Sequence, residues 1–264
     1  MKQGIVRSVV VLFVAAAALA LPVKAFAQAD EIQVYDGGLA PKGVFNLTLH
    51  NNFTPKGLKT PTFAGGVTSD KSLNGVAEWA LGVTDWFEAG LYLPLYTYDK
   101  NMGFGINGGK IRLLFATPNN DERTFVLGAN FEFSYNAKRW DTTRITSEVR
   151  PIIGWHLNKE WDLIFNPIVD TAYDGFGNLE FVPAARLAYN PTEDWAIALE
   201  TYSDFGRLSG FEKTADQAHQ LFAVFDHTTK SGFDIEFGAG IGLTDAADKF
   251  QLKLILSKDL NKKK

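Results

Sequence analysis

Residues 232–243 read GFDIEFGAGIGL and alternate almost without interruption. Phe233, Ile235, Phe237, Ala239, Ile241 and Leu243 share one parity, while Asp234, Glu236, Gly238, Gly240 and Gly242 share the other. A strand sends successive side chains to opposite faces, so this stretch has one apolar wall and one wall that is acidic, then bare. Segments of the same kind recur twelve times, near 44–53, 74–82, 87–96, 108–116, 124–135, 145–157, 161–170, 179–190, 195–204, 219–226, 233–243 and 250–257. Turn residues separate them and helical periodicity is hard to find, so the chain is all-β. The open question is which wall meets water.

The connections alternate in length. Tight turns fall at 83–86, 117–123, 158–160, 191–194 and 227–232, and mostly longer loops at 54–72, 97–107, 136–144, 171–178, 205–218 and 244–249. Neighbouring antiparallel strands turn at opposite ends of a sheet. Short turns at one rim and longer loops at the other is the layout of an outer-membrane barrel with periplasmic termini. VTDWFEAGLYL, NKEWDLIFNPI and PTEDWAIALET each set an acidic turn before a tryptophan at the short-turn rim, where amphipathic aromatics form an interfacial girdle.

The polar walls carry Gly, Asn and charges of both signs: Glu78, Glu88, Lys110, Arg112, Glu132, Glu148, Arg150, His156, Arg186, Glu200, Asp234 and Glu236. The apolar walls, such as Phe125, Leu127, Ala129, Phe131, Phe133 and Tyr135, match the roughly 9–11 residues a tilted strand needs to cross a bilayer. Only a closed barrel can show lipid a sheet, because an open edge leaves backbone groups unpaired in hydrocarbon. The chain is therefore expected to be a 12-stranded antiparallel transmembrane β-barrel of outer-membrane type over residues 44–257, with those twelve charged and His residues lining the lumen. Gly90, Gly128, Gly238, Gly240 and Gly242 are expected to leave room there. A secreted soluble β-sandwich is the alternative.

The start of the chain sets the compartment. Lys2 and Arg7 precede an uncharged run from Val9 to Leu21, followed by Pro22 and the small-residue pattern Ala25-Phe26-Ala27. The run is shorter than the roughly 20 residues of a spanning helix, so residues 1–27 read as a cleaved signal peptide of a Gram-negative exported protein. Removing them leaves 23 basic and 30 acidic residues, a balance that disfavours nucleic acid. The chain has no cysteine and hence no disulfide or thiolate metal site. Residues 28–43 are too polar for a first strand and form a periplasmic segment or a partial plug, and residues 258–264 form a basic tail. Many outer-membrane barrels end on an aromatic residue read by the assembly machinery. Here 250–257 is followed by KDLNKKK, so either the insertion signal is internal or the tail extends into the periplasm.

Chemical motifs are weak. Gly103–Gly108 matches G-x-G-x-x-G but lacks the strand before and helix after, and reads as a glycine-rich loop entering the fourth strand. His50, His156, His219 and His227 have no metal-ligand spacing, and no Ser pairs with a particular His. Asp234 and Glu236 read as lumenal charges paired with Lys253 or another base. No catalytic residue, metal or cofactor is expected.

EIQVYDGGLAPKGVFNLTLHNNFTP, GVTDWFEAGLYLP and SEVRPIIGWHL resemble a family of proteobacterial outer-membrane barrels grouped with the MetA-pathway of phenol degradation, described as transporter-like. The resemblance spans most of residues 31–257 and implies an outer-membrane barrel and uptake of phenols or other aromatics. The reading is a passive porin-like channel or transporter for small solutes in the outer membrane. Its expected partners are outer-membrane lipid, the barrel-assembly machinery and a small-molecule solute. A plugged barrel with a structural or membrane-enzyme role is the other option. An open channel predicts that Arg112 and Arg150 set its ion preference.

Overall fold

A computed structural model describes residues 30–261; the expected signal peptide lies outside them. The strands are β1 Phe45–Lys56, β2 Ser72–Thr84, β3 Phe87–Asp99, β4 Gly103–Ala116, β5 Phe125–Asn136, β6 Ile145–His156, β7 Trp161–Asn166, β8 Val169–Thr171, β9 Glu180–Phe181, β10 Ala184–Thr192, β11 Trp195–Asp204, β12 Ala218–Thr228, β13 Phe233–Gly242 and β14 Phe250–Asp259. Pro167 interrupts one stave between β7 and β8, and Pro183 interrupts the next between β9 and β10, so fourteen strands make twelve staves.

All pairings between named strands are antiparallel, and the sheet closes on itself. β1 pairs with β14 from Asn46↔Asp259 to Phe53↔Leu252, and β5 pairs with β6 from Phe125↔Trp155 to Tyr135↔Ile145. A sandwich has edges and two facing sheets, so closure removes that alternative. The fold is a 12-stranded antiparallel β-barrel. Among the described residues its helical content is two single turns of 3-10 helix, at Asn120–Glu122 and Phe176–Asn178.

Two local expectations are corrected. Residues 97–107 are not a long loop: β3 and β4 run on to Asp99 and back from Gly103, leaving only residues 100–102 as a turn. The glycine-rich GFGINGG thus lies within β4, and Gly108 is needed there, since its φ is +130° and a Cβ would come within 1.9 Å of the Tyr135 carbonyl oxygen. The last strand also continues beyond Ser257 to Asp259, where it pairs with Asn46, so the first residues of KDLNKKK belong to the ladder.

The apolar wall faces outward. Phe233, Phe237 and Ile241 are exposed, as are Phe125, Leu127, Phe133 and Tyr135, whereas Gly238 and Gly240 on the opposite parity are buried. At the short-turn rim Trp86, Trp155, Trp161 and Trp195 are exposed and pack on neighbouring rings. Trp86 belongs to the turn between β2 and β3. Trp79, farther up β2, donates its indole N–H to the Leu93 carbonyl at 3.1 Å.

Proline removes a ladder donor, and each in-strand proline meets an irregularity. Pro94 lies at register shifts on both sides of β3. Pro151, Pro167 and Pro183 fall in one row. The β6 ladder pairs Ile153 with Phe165 and Val149 with Val169, which sets Pro151 opposite Pro167 in an unpaired gap. The next ladder pairs Asn166 with Ala184 and Val169 with Phe181, which sets Pro167 opposite Pro183.

The inward glycines do not leave empty space. A Cβ on Gly238 would meet the Lys253 side chain at 2.8 Å, one on Gly240 the Phe222 ring at 2.4 Å, and one on Gly90 the Arg112 side chain at 2.9 Å. They admit long neighbouring side chains into a filled lumen. Because Phe131 faces outward near the middle of β5, Phe131→Arg is expected to cost about 2–4 kcal/mol of stability in lipid, and Tyr135→Arg near the loop rim about 0–1 kcal/mol. Denaturant unfolding in liposomes checks the order; equal costs would contradict an outward lipid face.

Candidate functional site in the barrel lumen

Inward residues are polar on almost every stave, and burial forces each charge to find a partner. Three ion networks result. In the first, Arg112 on β4 binds Glu78 on β2 at 2.7 Å and also Glu88 on β3. Glu78 takes His50 Nε2 at 3.1 Å. The His50 ring stacks on Tyr92, and all these side chains are buried.

The second network sits higher. Lys110 on β4 binds Glu132 on β5 at 3.0 Å, and Arg150 on β6 binds its own-strand neighbour Glu148 at 2.7 Å. The third lies across the lumen: Arg186 on β10 binds Glu200 on β11 at 2.5 Å, and also Asp226 on β12. Lys253 on β14 meets Glu200 and, at 2.5 Å, Glu236 on β13. The Tyr202 hydroxyl donates to Glu200 at 2.6 Å.

The N-terminal segment runs through the space between these networks. Asp30 binds Lys110 at 2.7 Å, and Glu31 binds Arg150 at 3.2 Å. Ile32 packs with Ala188, Ala198, Phe222 and Val224. Val34 packs with Ile164, Ile168 and Ala184, and Tyr35 with Leu114 and Ile152. The Asn166 side chain grips the Tyr35 backbone from both sides, accepting its N–H at 2.8 Å and donating to its carbonyl at 2.9 Å. The Tyr35 and Tyr92 hydroxyls are hydrogen-bonded at 2.5 Å, and the Arg150 guanidinium stands 4.5 Å from the Tyr35 ring centre. Lower down, the Ala40 N–H donates to Glu88 at 2.5 Å. The segment fills the lumen, supplies both remaining carboxylates of the second network, and adds a backbone hydrogen bond to the first.

Above it a cavity of about 470 Å³ faces the long-loop rim. Asp30, Glu31, Lys110, Glu132 and Arg150 line its inner end, and Thr62, Trp140, Asp174 and Arg207 come from the loops. Asp248, in the loop before β14, ties that loop to the one between β1 and β2 by accepting hydrogen bonds from the Ser69 hydroxyl at 2.5 Å and the Leu58 N–H at 2.8 Å. Burial pushes its carboxyl above the usual carboxylate range, against the pull of those hydrogen bonds.

Of the twelve residues read as lumen-lining, ten enter the networks: Glu78, Glu88, Lys110, Arg112, Glu132, Glu148, Arg150, Arg186, Glu200 and Glu236. His156 stands apart near the short-turn rim, with Nδ1 2.5 Å from Asp162. Asp234 is exposed at that rim and accepts a hydrogen bond from Thr228 at 2.7 Å, so of the Asp234 and Glu236 pair only Glu236 reaches Lys253. His50, Tyr92 and Lys253 share the inward parity of the charged residues around them and were readable on that ground. Asp30 and Glu31 lie outside any strand, and nothing in their spacing marks them as lumenal.

No family model and no curated protein sequence matches the chain. Its fold is similar to that of an outer membrane channel from Pseudomonas putida F1, with a TM-score of 0.60 and 14% identity over 87% of this chain and 100% of that one. It is also similar to a KdgM porin solved in complex with disordered oligogalacturonate, with a TM-score of 0.53 and 6% identity over 82% and 99% of the two chains. The CymD monoaromatic hydrocarbon channel gives a TM-score of 0.50 and 8% identity over 87% and 94%. At these identities the likeness is one of fold.

Removing one partner of a buried pair strands the other charge, at a cost of about 3–5 kcal/mol. Arg112→Ala leaves Glu78 and Glu88 without their shared cation. It is expected to lower markedly the temperature at which the folded barrel's gel mobility is lost, and an unchanged temperature would contradict the pairing.

Proposed function

We propose that the chain is an outer-membrane channel for small solutes, held closed at mid-height by its own N-terminal segment. The observation that carries this reading is the seat of Asp30–Tyr35 among inward side chains of staves on opposite sides of the lumen. An apolar outer wall with a tryptophan level at one rim supports an outer-membrane location reached through a cleaved signal peptide, with outer-membrane lipid and the assembly machinery as partners. The fold is compatible with channels and porins, and the reading needs neither a cofactor nor a catalytic step.

In this reading Arg112 and Arg150 hold the lumen together rather than filter ions. Arg112 is spoken for by two carboxylates, and Arg150 by two carboxylates, the Gln33 carbonyl and the Tyr35 ring. Deleting residues 28–41 is expected to raise single-channel conductance in planar bilayers several-fold over the full chain. Equal conductance would overturn the occlusion.

A second reading, passage of aromatic or other apolar solutes in line with the phenol-degradation resemblance, rests on the row Pro151–Pro167–Pro183. There the ladder is interrupted directly outside the apolar lumenal cluster of Val34, Ile164, Ile168 and Ala184. Val182, which packs on that cluster, also lines the cavity. Restoring the ladder with Pro151→Val and Pro167→Val is expected to slow toluene entry into proteoliposomes while leaving ion conductance unchanged. Equal toluene entry would remove this reading.

A further inference from the structure

No spacing in the chain joins a serine to a histidine, but the strand register does. Ser203 on β11 is the cross-strand partner of His219 on β12, and its hydroxyl oxygen lies 2.9 Å from His219 Nδ1. The other ring nitrogen, Nε2, lies 3.0 Å from Gln217 Oε1. Hydroxyl, imidazole and amide thus stand in one line.

The hydrogen bonds around them fix the proton on the ring. The Gln217 side-chain nitrogen donates to the Glu212 carbonyl at 2.7 Å, so the amide oxygen is the atom that faces His219, and it can only accept. Neutral His219 therefore carries its proton on Nε2 and turns the Nδ1 lone pair toward the Ser203 hydroxyl. A serine whose O–H points at an imidazole lone pair, with a third group holding that tautomer, is the arrangement that makes a serine nucleophilic. Gln217 is buried, and the His219 backbone N–H donates to the Thr244 hydroxyl at 3.1 Å, so the base is held at both ends. Ser203 and His219 themselves are only half-buried.

The surroundings indicate the substrate. Ser203 shares the outward parity of Ile197 and Leu199, and His219 that of Phe225, all three exposed on the outer wall. The pair stands at the long-loop rim, where the loop 205–217 lays an aromatic platform beside it. Phe205 meets the His219 ring edge-on at 5.2 Å, and Phe211 lies 5.3 Å from Phe205 and stacks on Phe181 at 5.9 Å. Phe211 is 53% exposed, which leaves the platform open to an apolar chain. Ser203 also borders the cavity, which brings solvent to the pair.

We propose that Ser203, with His219 as its base and Gln217 as the positioning residue, is the nucleophile of an esterase site for long-chain fatty acyl esters at the membrane surface. Ser203 Oγ bonds to the acyl carbonyl carbon while its proton passes to His219 Nδ1. The alcohol leaves with that proton as the ester C–O bond breaks. Water then attacks the acyl–Ser203 ester and gives a proton to the same nitrogen, which returns it to Ser203 Oγ as the fatty acid departs. The inference goes beyond the channel reading. Its test reads covalent labelling and turnover, so an unchanged conductance after deletion of residues 28–41 would leave it to stand or fall by itself.

The full-length, detergent-purified barrel is treated with a fluorophosphonate, which phosphonylates an activated serine with loss of fluoride, and the labelled residue is located by peptide mass spectrometry. Labelling is expected at Ser203 and is expected to be absent in Ser203→Ala. In mixed micelles the parent should hydrolyse 4-nitrophenyl laurate faster than 4-nitrophenyl acetate, and Ser203→Ala and His219→Gln should each lower turnover at least roughly 100-fold. Gln217→Met keeps the length of the side chain but removes the acceptor. It should lower kcat about tenfold or more at unchanged KM, a split that a merely distorted loop would not give. Phe211→Ser should narrow the preference for laurate while Ser203 is still labelled. Retained heat-modifiable mobility certifies that each variant is folded. Labelling that is absent or falls elsewhere, or unchanged turnover in a folded Ser203→Ala or His219→Gln variant, would overturn the proposal, and equal turnover of the two esters would overturn its assignment to long acyl chains.

Discussion

The structure depends on closure of the backbone ladder between β1 and β14. A sheet that turns its apolar face to hydrocarbon cannot leave an edge, because no water is present to satisfy the exposed amides and carbonyls. The register from Asn46↔Asp259 onward removes that edge and carries the last strand two residues beyond Ser257. Once the ring is shut, the opposite faces of all twelve staves converge on one narrow interior.

That interior governs the rest. The inward side chains are long and charged, and the glycines between them give Arg112, Lys253 and Phe222 room to cross the lumen. Buried charge is tolerated only in pairs, so the networks around Arg112, Arg186 and Lys253 tie staves together much as a hydrophobic core ties layers together. Lys110 and Arg150 are completed by the N-terminal segment, through Asp30 and Glu31. The segment is therefore part of the interior's electrostatic balance, and moving it exposes two cations and two carboxylates together. That coupling makes occlusion stable at rest.

Much of the barrel was legible because period-two alternation is a local property. GFDIEFGAGIGL declares its two walls without reference to any other strand, and the alternation of short and long connections orders the staves. What was misread depended on distant neighbours. Residues 97–107 looked like a loop because of their glycines, but pairing with β3 and with Tyr135 draws them into β4. The inward glycines looked like free space because the residues that fill them sit on other strands. The lumenal parity of Glu78, Arg112 and Glu200 could be read, whereas their pairings could not, since cross-strand register at a distance of many residues is not written locally. Asp30 and Glu31 carry no periodicity at all, and their role follows only from where Lys110 and Arg150 point.

The most direct test of the account is the position of the N-terminal segment in the membrane-embedded protein. The chain has no cysteine, so Val34→Cys with Ala184→Cys introduces a single possible disulfide between two residues that pack together inside the barrel. The account predicts that mild oxidation joins them in isolated outer membranes and that the single Val34→Cys variant resists a membrane-impermeant maleimide. Failure to form the bond, together with rapid labelling of position 34, would contradict an occluded lumen.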